Sequence, residues 1–123
     1  MTNTMQLNLL VLHTARLEAV RSFYETLGFH LVEEKHGNGP VHYSWITSNF
    51  VIEFYPRNGR PEPRCAAREM EFTFTVKNIE PIFAAISNLS EPPEWTFTAS
   101  KRRTIRVRDP DGRLIKFVEV IAS

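Results

Sequence analysis

The segment Arg103-Thr-Ile-Arg-Val-Arg-Asp-Pro-Asp-Gly-Arg-Leu-Ile-Lys-Phe-Val-Glu-Val120 decides how this chain is built. Two runs rich in apolar and β-branched residues flank Asp109-Pro110-Asp111-Gly112, where proline presets φ and glycine accepts φ > 0. The segment therefore predicts two antiparallel strands joined by a tight turn. Alternation sends Ile105, Val107, Ile115 and Phe117 to one face and Arg106, Arg108 and Lys116 to the other. An apolar face packs; a cationic one suggests the lining of a cleft.

Working outward, the rest of the chain shows the same unit twice. Leu7 to Leu12 is an almost continuous apolar run and predicts a first strand covered on both faces. From Arg16 the period changes, with Leu17, Val20, Phe23 or Tyr24 and Leu27 at helical spacing before Gly28 stops the helix. Phe29 to Glu34, Val41 to Thr47 and Phe50 to Tyr55 then read as strands, separated by the Gly37-Asn38-Gly39-Pro40 and Ser48-Asn49 breaks. Pro56 to Arg68 lacks either period and predicts a linker. Beyond it come a strand at Glu71 to Val76, a helix at Ile79 to Leu89 with Pro81 in its first turn, and a break at Glu91-Pro92-Pro93. Trp95 to Ala99 is extended, and the closing hairpin follows. The expected class is α+β: two β-α-β-β-β modules, residues 5–56 and 69–121 around a linker at 57–68, forming a curved mixed sheet around a cleft within one domain.

Composition narrows the function classes. A chain of 123 residues with 42% hydrophobic content buries a core without staples. The formal net charge of +1 gives no electrostatic reason to expect a nucleic-acid partner. Cys65 is the single cysteine, which excludes an internal disulfide and fits a reducing, cytoplasmic setting. No apolar run approaches the roughly 18 residues of a membrane span, and Met1 to Gln6 lacks signal-peptide character. Glycine-rich phosphate loops, nucleophile elbows and paired-cysteine motifs are absent from the sequence.

Two motifs carry a resemblance. Leu17-Glu-Ala-Val-Arg-Ser-Phe-Tyr-Glu-Thr-Leu-Gly-Phe29, with its Phe-Tyr and Leu-Gly pairs, and Asp109-Pro-Asp-Gly112 in the last hairpin resemble the vicinal oxygen chelate superfamily of glyoxalase I, bleomycin-resistance proteins and extradiol dioxygenases. The resemblance implies that fold, and a small organic molecule as ligand. Metal-dependent members set ligands at four strand positions, which carry over to Leu9, Glu53, Glu71 and Lys116. Leucine offers no donor atom and a charged lysine no lone pair, so the expected site is metal-free and without a cofactor, with Lys116 bridging Glu53 and Glu71 as an ion pair.

The expected cleft residues are His13, Glu53, Tyr55, Glu71, Thr73, Arg106 and Lys116. His13 shares a face with Leu9 and Val11, where it serves either as a ligand or acid–base group or as an exposed strand-end histidine. Tyr43 and Trp45 share a face opposite His42 and Ser44, and the sequence leaves open which face is inside. Trp95 is a candidate pocket wall, while Phe23, Phe72, Phe74 and Phe83 are assigned to helix–sheet packing. His30, His36 and His42 show no ligand spacing and are set aside, as is Cys65. The function expected is that of a binding protein resembling bleomycin-resistance proteins. The alternative is a divalent-metal-dependent lyase, isomerase or dioxygenase using Glu53 and Glu71, and a third option is a structural or regulatory partner of another protein. A homodimer is expected, since the first strand is too apolar for an open edge.

Overall fold

The computed structural model describes residues 3–62, 67–87, 94–97 and 101–120, and for Glu94 and Trp95 the backbone. The expectations for Cys65, for Glu91-Pro92-Pro93, for the Trp95 side chain and for the end of the second helix lie outside the described residues. Two compact units emerge, residues 1–25 with 29–62 and residues 26–28 with 63–123.

The first unit contains β1 (Leu9–Thr14), α1 (Leu17–Thr26), β2 (Leu31–Glu34), β3 (His42–Ile46) and β4 (Val51–Pro56). Its sheet has the order β1-β4-β3-β2, with β1 parallel to β4 and the other pairs antiparallel. The helix starts where Thr14 Oγ1 accepts the Arg16 N–H at 2.9 Å. It ends at Gly28, whose φ of +102° lets the Phe29 N–H reach back to the Tyr24 carbonyl at 3.0 Å. Its Val20, Phe23 and Tyr24 are buried, as are Leu12, Ile52 and Phe54 of the sheet. The Tyr24 and Phe54 rings lie 4.8 Å apart, and Phe29 meets Trp45 edge-on at 5.0 Å. Tyr43 donates its hydroxyl to Glu18 Oε1 on α1 at 3.0 Å, so Tyr43 and Trp45 face the helix. His42 and Ser44 point the other way.

The first strand departs from expectation. It begins two residues later, at Leu9, and ends two residues later, where His13 and Thr14 extend the pairing with Tyr55 and Pro56. It also stands at one end of the strand order, and only its Leu10, Leu12 and Thr14 face lies toward α1. Leu9 and Val11 on the other face remain 48% and 39% exposed, so the strand is covered on one face and not on both.

The second unit repeats the plan with β5 (Glu71–Val76), α2 (Glu80–Ile86), β6 (Glu94–Phe97), β7 (Arg103–Arg108) and β8 (Leu114–Glu119), in the order β5-β8-β7-β6 with β5 parallel to β8. A short 3-10 turn, Ala67–Glu69, straddles the end of the expected linker. Ile105, Val107, Ile115 and Phe117 are buried as the alternation requires. The turn at Asp109-Pro110-Asp111-Gly112 forms as read, with Gly112 at φ +95° and its N–H donating to the Asp109 carbonyl at 2.9 Å. Arg103 leaves its charged neighbours and turns to the helix side, where its guanidinium donates to both Glu119 carboxylate oxygens at 2.9 Å and to Glu80. Glu119 Oε2 also accepts the Ile79 N–H at 3.0 Å, giving α2 an N-terminal partner that its own Ile79 side chain cannot supply.

Candidate functional site

Register decides which side chains meet on the face of the first sheet that α1 leaves open. His13 pairs with Tyr55, Val11 with Glu53, Ser44 with Glu53, Glu34 with His42 and Val32 with Ser44. Paired residues share a face. Two polar rows thus cross the sheet, bordered by the half-exposed aliphatic side chains of Leu9, Val11, Val32 and Ile46.

At the centre lies His42, fully buried although its strand faces away from the helix. Its ring stacks on Tyr55 with centroids 4.0 Å apart and 11° between planes, and the His36 ring covers it from the Lys35–Pro40 turn at 5.0 Å. Nδ1 lies 3.3 Å from the Pro40 carbonyl oxygen. A carbonyl only accepts, so that contact places a proton on Nδ1 and, in the neutral ring, makes Nε2 the acceptor. Nε2 then faces Glu53 Oε2 at 3.3 Å and Glu34 Oε1 at 3.8 Å, yet it is buried and no hydrogen bond of acceptable direction reaches it. Ser44 Oγ, also buried, contacts Glu34 Oε1 closely and Glu53 Oε2 at 3.5 Å. One hydroxyl proton serves two carboxylates.

The neighbouring groups feel this charge. Burial, then the Glu53 and Glu34 carboxylates, push the Tyr55 phenol above its ordinary 10.0. His13, whose ring is 6.1 Å from that of Tyr55, is held below 6.5 by burial and by the Arg60 and Arg57 guanidinium groups.

Of the expected residues, His13, Glu53 and Tyr55 come together here. In the second unit Thr73 pairs with Lys116 and Lys116 with Arg106, while Glu71 sits opposite Leu114. That register keeps Lys116 one pair removed from Glu71, and no ion pair joins them. Glu53 takes His42 and Ser44 as partners. The Lys116-bridged triad therefore fails at its Glu71 arm.

Sequence spacing gave no sign that Glu34, His36 and His42 come together, and the structure brings them into one group. Their ligand atoms, with one from Glu53, all lie within 4.8 Å of one another. The signal was present in the hairpin register: reversal at Ser48-Asn49 sets Ser44 against Glu53, and reversal at Gly37 to Pro40 sets Glu34 against His42.

Two β-α-β-β-β units with identical strand order define a paired-module α+β protein. The family model described as "Glyoxalase/Bleomycin resistance protein/Dioxygenase superfamily" matches residues 6–117, and the chain belongs to that superfamily. Among solved structures, a virulence protein from Salmonella typhimurium is 22% identical, with 98% of this chain and 100% of that chain covered and a TM-score of 0.66. A lactoylglutathione lyase from Agrobacterium tumefaciens is 14% identical, with 95% of each chain covered and a TM-score of 0.69. A glyoxalase/bleomycin resistance protein from Catenulispora acidiphila is 20% identical, with 94% and 100% covered and a TM-score of 0.67. At these identities the likeness is one of fold. Compared with curated proteins by sequence, the chain matches none significantly. Among the described residues, no helix is long and apolar enough to cross a membrane.

Of the four positions that the resemblance assigns to a metal, Leu9 offers no donor atom, and Lys116, paired with Arg106 on the next strand, offers no lone pair while charged.

Proposed function

We propose that this chain binds a small organic molecule, without the metal centre of its catalytic relatives, on the sheet face that carries His13, Glu53 and Tyr55. The family match across both modules supports treating residues 1–123 as one domain. The observation that carries the reading is the row His13–Tyr55 beside Glu53, framed by half-exposed Leu9, Val11, Val32 and Ile46. Such a surface offers rings and aliphatic groups to an apolar body and a carboxylate to a hydrogen-bond donor. The ligand class is an apolar or aromatic molecule bearing at least one N–H or O–H. The alternative of a metal-dependent lyase, isomerase or dioxygenase has Glu53 and Glu71 in its favour and Leu9 and Lys116 against it.

A homodimer fits the exposed Leu9 and Val11 on an end strand, since an apolar edge favours pairing. Sedimentation at micromolar concentration tests it, with a pure monomer as the contrary result. The lone cysteine is consistent with a cytoplasmic location.

The test of binding is a screen of small aromatic amines, amides and phenols against EDTA-treated protein, read by ligand-observed NMR and thermal shift. Ligands that raise the melting temperature should lose this effect in His13→Gln and Tyr55→Leu. Equal binding to both variants, or turnover of the molecules without loss in those variants, would overturn the reading.

A further inference from the structure

The group Glu34, His36, His42 and Glu53 sits within a single module and uses only one of the four positions at which the family places metal. We infer that these residues form a site for one divalent transition-metal ion, zinc by preference. Three observations converge on a cation. The Nδ1 contact to the Pro40 carbonyl leaves the Nε2 lone pair of His42 facing the Glu53 and Glu34 carboxylates at 3.3 and 3.8 Å, an arrangement of acceptor against acceptor that a cation between them reverses. Nε2 is buried and without a hydrogen-bond partner. Ser44 gives a single proton to the two carboxylates, so the group is short of positive charge and of donors.

The chemistry of the set selects the ion. Two imidazoles and two carboxylates suit zinc and its borderline neighbours, whereas calcium and magnesium prefer oxygen alone. His42 is already held as metal-bound histidines are, with its distal N–H on a backbone carbonyl and its ring fixed against Tyr55. Tetrahedral zinc with bonds of about 2.1 Å sets donor atoms about 3.4 Å apart. The four donors lie within 4.8 Å, so closure needs only an inward turn of half-buried Glu34 and of exposed His36.

This inference does not depend on the organic-ligand reading, which is tested in EDTA. Untagged protein, stripped with EDTA and dialysed, is titrated with Zn2+ by calorimetry and with Co2+ by visible absorption. The expected result is one ion per chain at micromolar affinity or tighter, with the intense d–d bands of tetrahedral Co2+ and a raised melting temperature. His36→Gln, at an exposed position where folding is not at risk, and Glu53→Gln should each weaken Zn2+ by at least about 100-fold, more than loss of an outer-shell partner costs. His30→Gln should bind as wild type does. Undiminished affinity in His36→Gln, or no uptake of Zn2+, overturns the site. So does an NMR spectrum in which His42 is a stable imidazolium in zinc-saturated buffer, because a proton would then supply the missing charge.

Discussion

The His42 imidazole lies flat on the Tyr55 ring, 4.0 Å between centroids and 11° from parallel, and this stack fixes the direction of Nε2. Tyr55→Leu keeps apolar cover but removes the ring contact. We expect it to cost about 1 kcal/mol of stability by urea unfolding. Tyr55→Phe keeps the stack and should unfold as wild type does. It should also remove one of the late-titrating phenols from the alkaline absorbance curve, since Tyr55 is held above 10.0 by burial and by Glu53 and Glu34. If Tyr55→Phe leaves that curve unchanged, the phenol does not sense the carboxylates.

His13 gives the pH dependence of the same face. Its folded value is depressed below 6.5, chiefly by burial, then by Arg60 and Arg57. The fold therefore favours the neutral ring, and the unfolded chain binds the proton more tightly. The sign follows: this contribution to stability is complete above pH 6.5 and is lost as pH falls through the folded value. An NMR titration of the His13 ring should show a midpoint below 6.5 that moves upward in Arg57→Gln/Arg60→Gln. A midpoint at or above 6.5 in wild type would contradict the environment described.

Much of the fold was readable because period and punctuation agree in this chain. Ile105, Val107, Ile115 and Phe117 alternate around a Pro-Asp-Gly turn, and Val20, Phe23, Tyr24 and Leu27 recur on a helix that Gly28 ends. The first strand was misjudged because apolar side chains show hydrophobicity and not whether a covering layer exists. Leu9 and Val11 stay half-exposed. The site was half readable for a different reason. Glu53, Tyr55 and His13 stand out on their own strands, whereas Glu34, His36 and His42 become neighbours only through hairpin register, which spacing along the chain does not encode.

On the second module, Glu119 is held below 4.5 first by hydrogen bonds from Arg103 and then by the Ile79 N–H. Its ionised form is the one the fold stabilises. That contribution is present above pH 4.5 and disappears as pH falls through the folded value. Glu119→Gln should lower the melting temperature at neutral pH and flatten the loss of stability on the acid side. A melting profile parallel to wild type from neutral to acid pH would show that Arg103 and the start of α2 do not depend on this carboxylate.

The strongest stability prediction concerns the turn at Asp109. As whole residues Asp109 is 4% exposed and Arg113 2% exposed. Asp109 Oδ1 accepts the N–H groups of Asp111 and Arg113, both at 3.0 Å, while Oδ2 accepts Arg113 Nη1 at 3.0 Å. Asp109→Ala removes the acceptor of two backbone amides and takes one carboxylate from a buried guanidinium that also contacts Asp111 at 2.9 Å. Loss of one partner of a buried pair costs about 3–5 kcal/mol, and that is the expected effect. Asp109→Asn retains one acceptor oxygen for the two amides but turns an NH2 or a neutral oxygen toward Arg113, so it should be less damaging. Removing both charges distinguishes the ion pair from the turn. Asp109→Asn/Arg113→Met should be more stable than the sum of its single variants, because the Asp109–Arg113 charge pair is removed as a unit, while the loss of Arg113 from buried Asp111 is common to the single and the double variant. Urea unfolding of wild type, both singles and the double gives the coupling directly. Strict additivity would mean that the backbone turn, through Pro110 and the positive φ of Gly112, carries the hairpin without help from the Asp109–Arg113 pair.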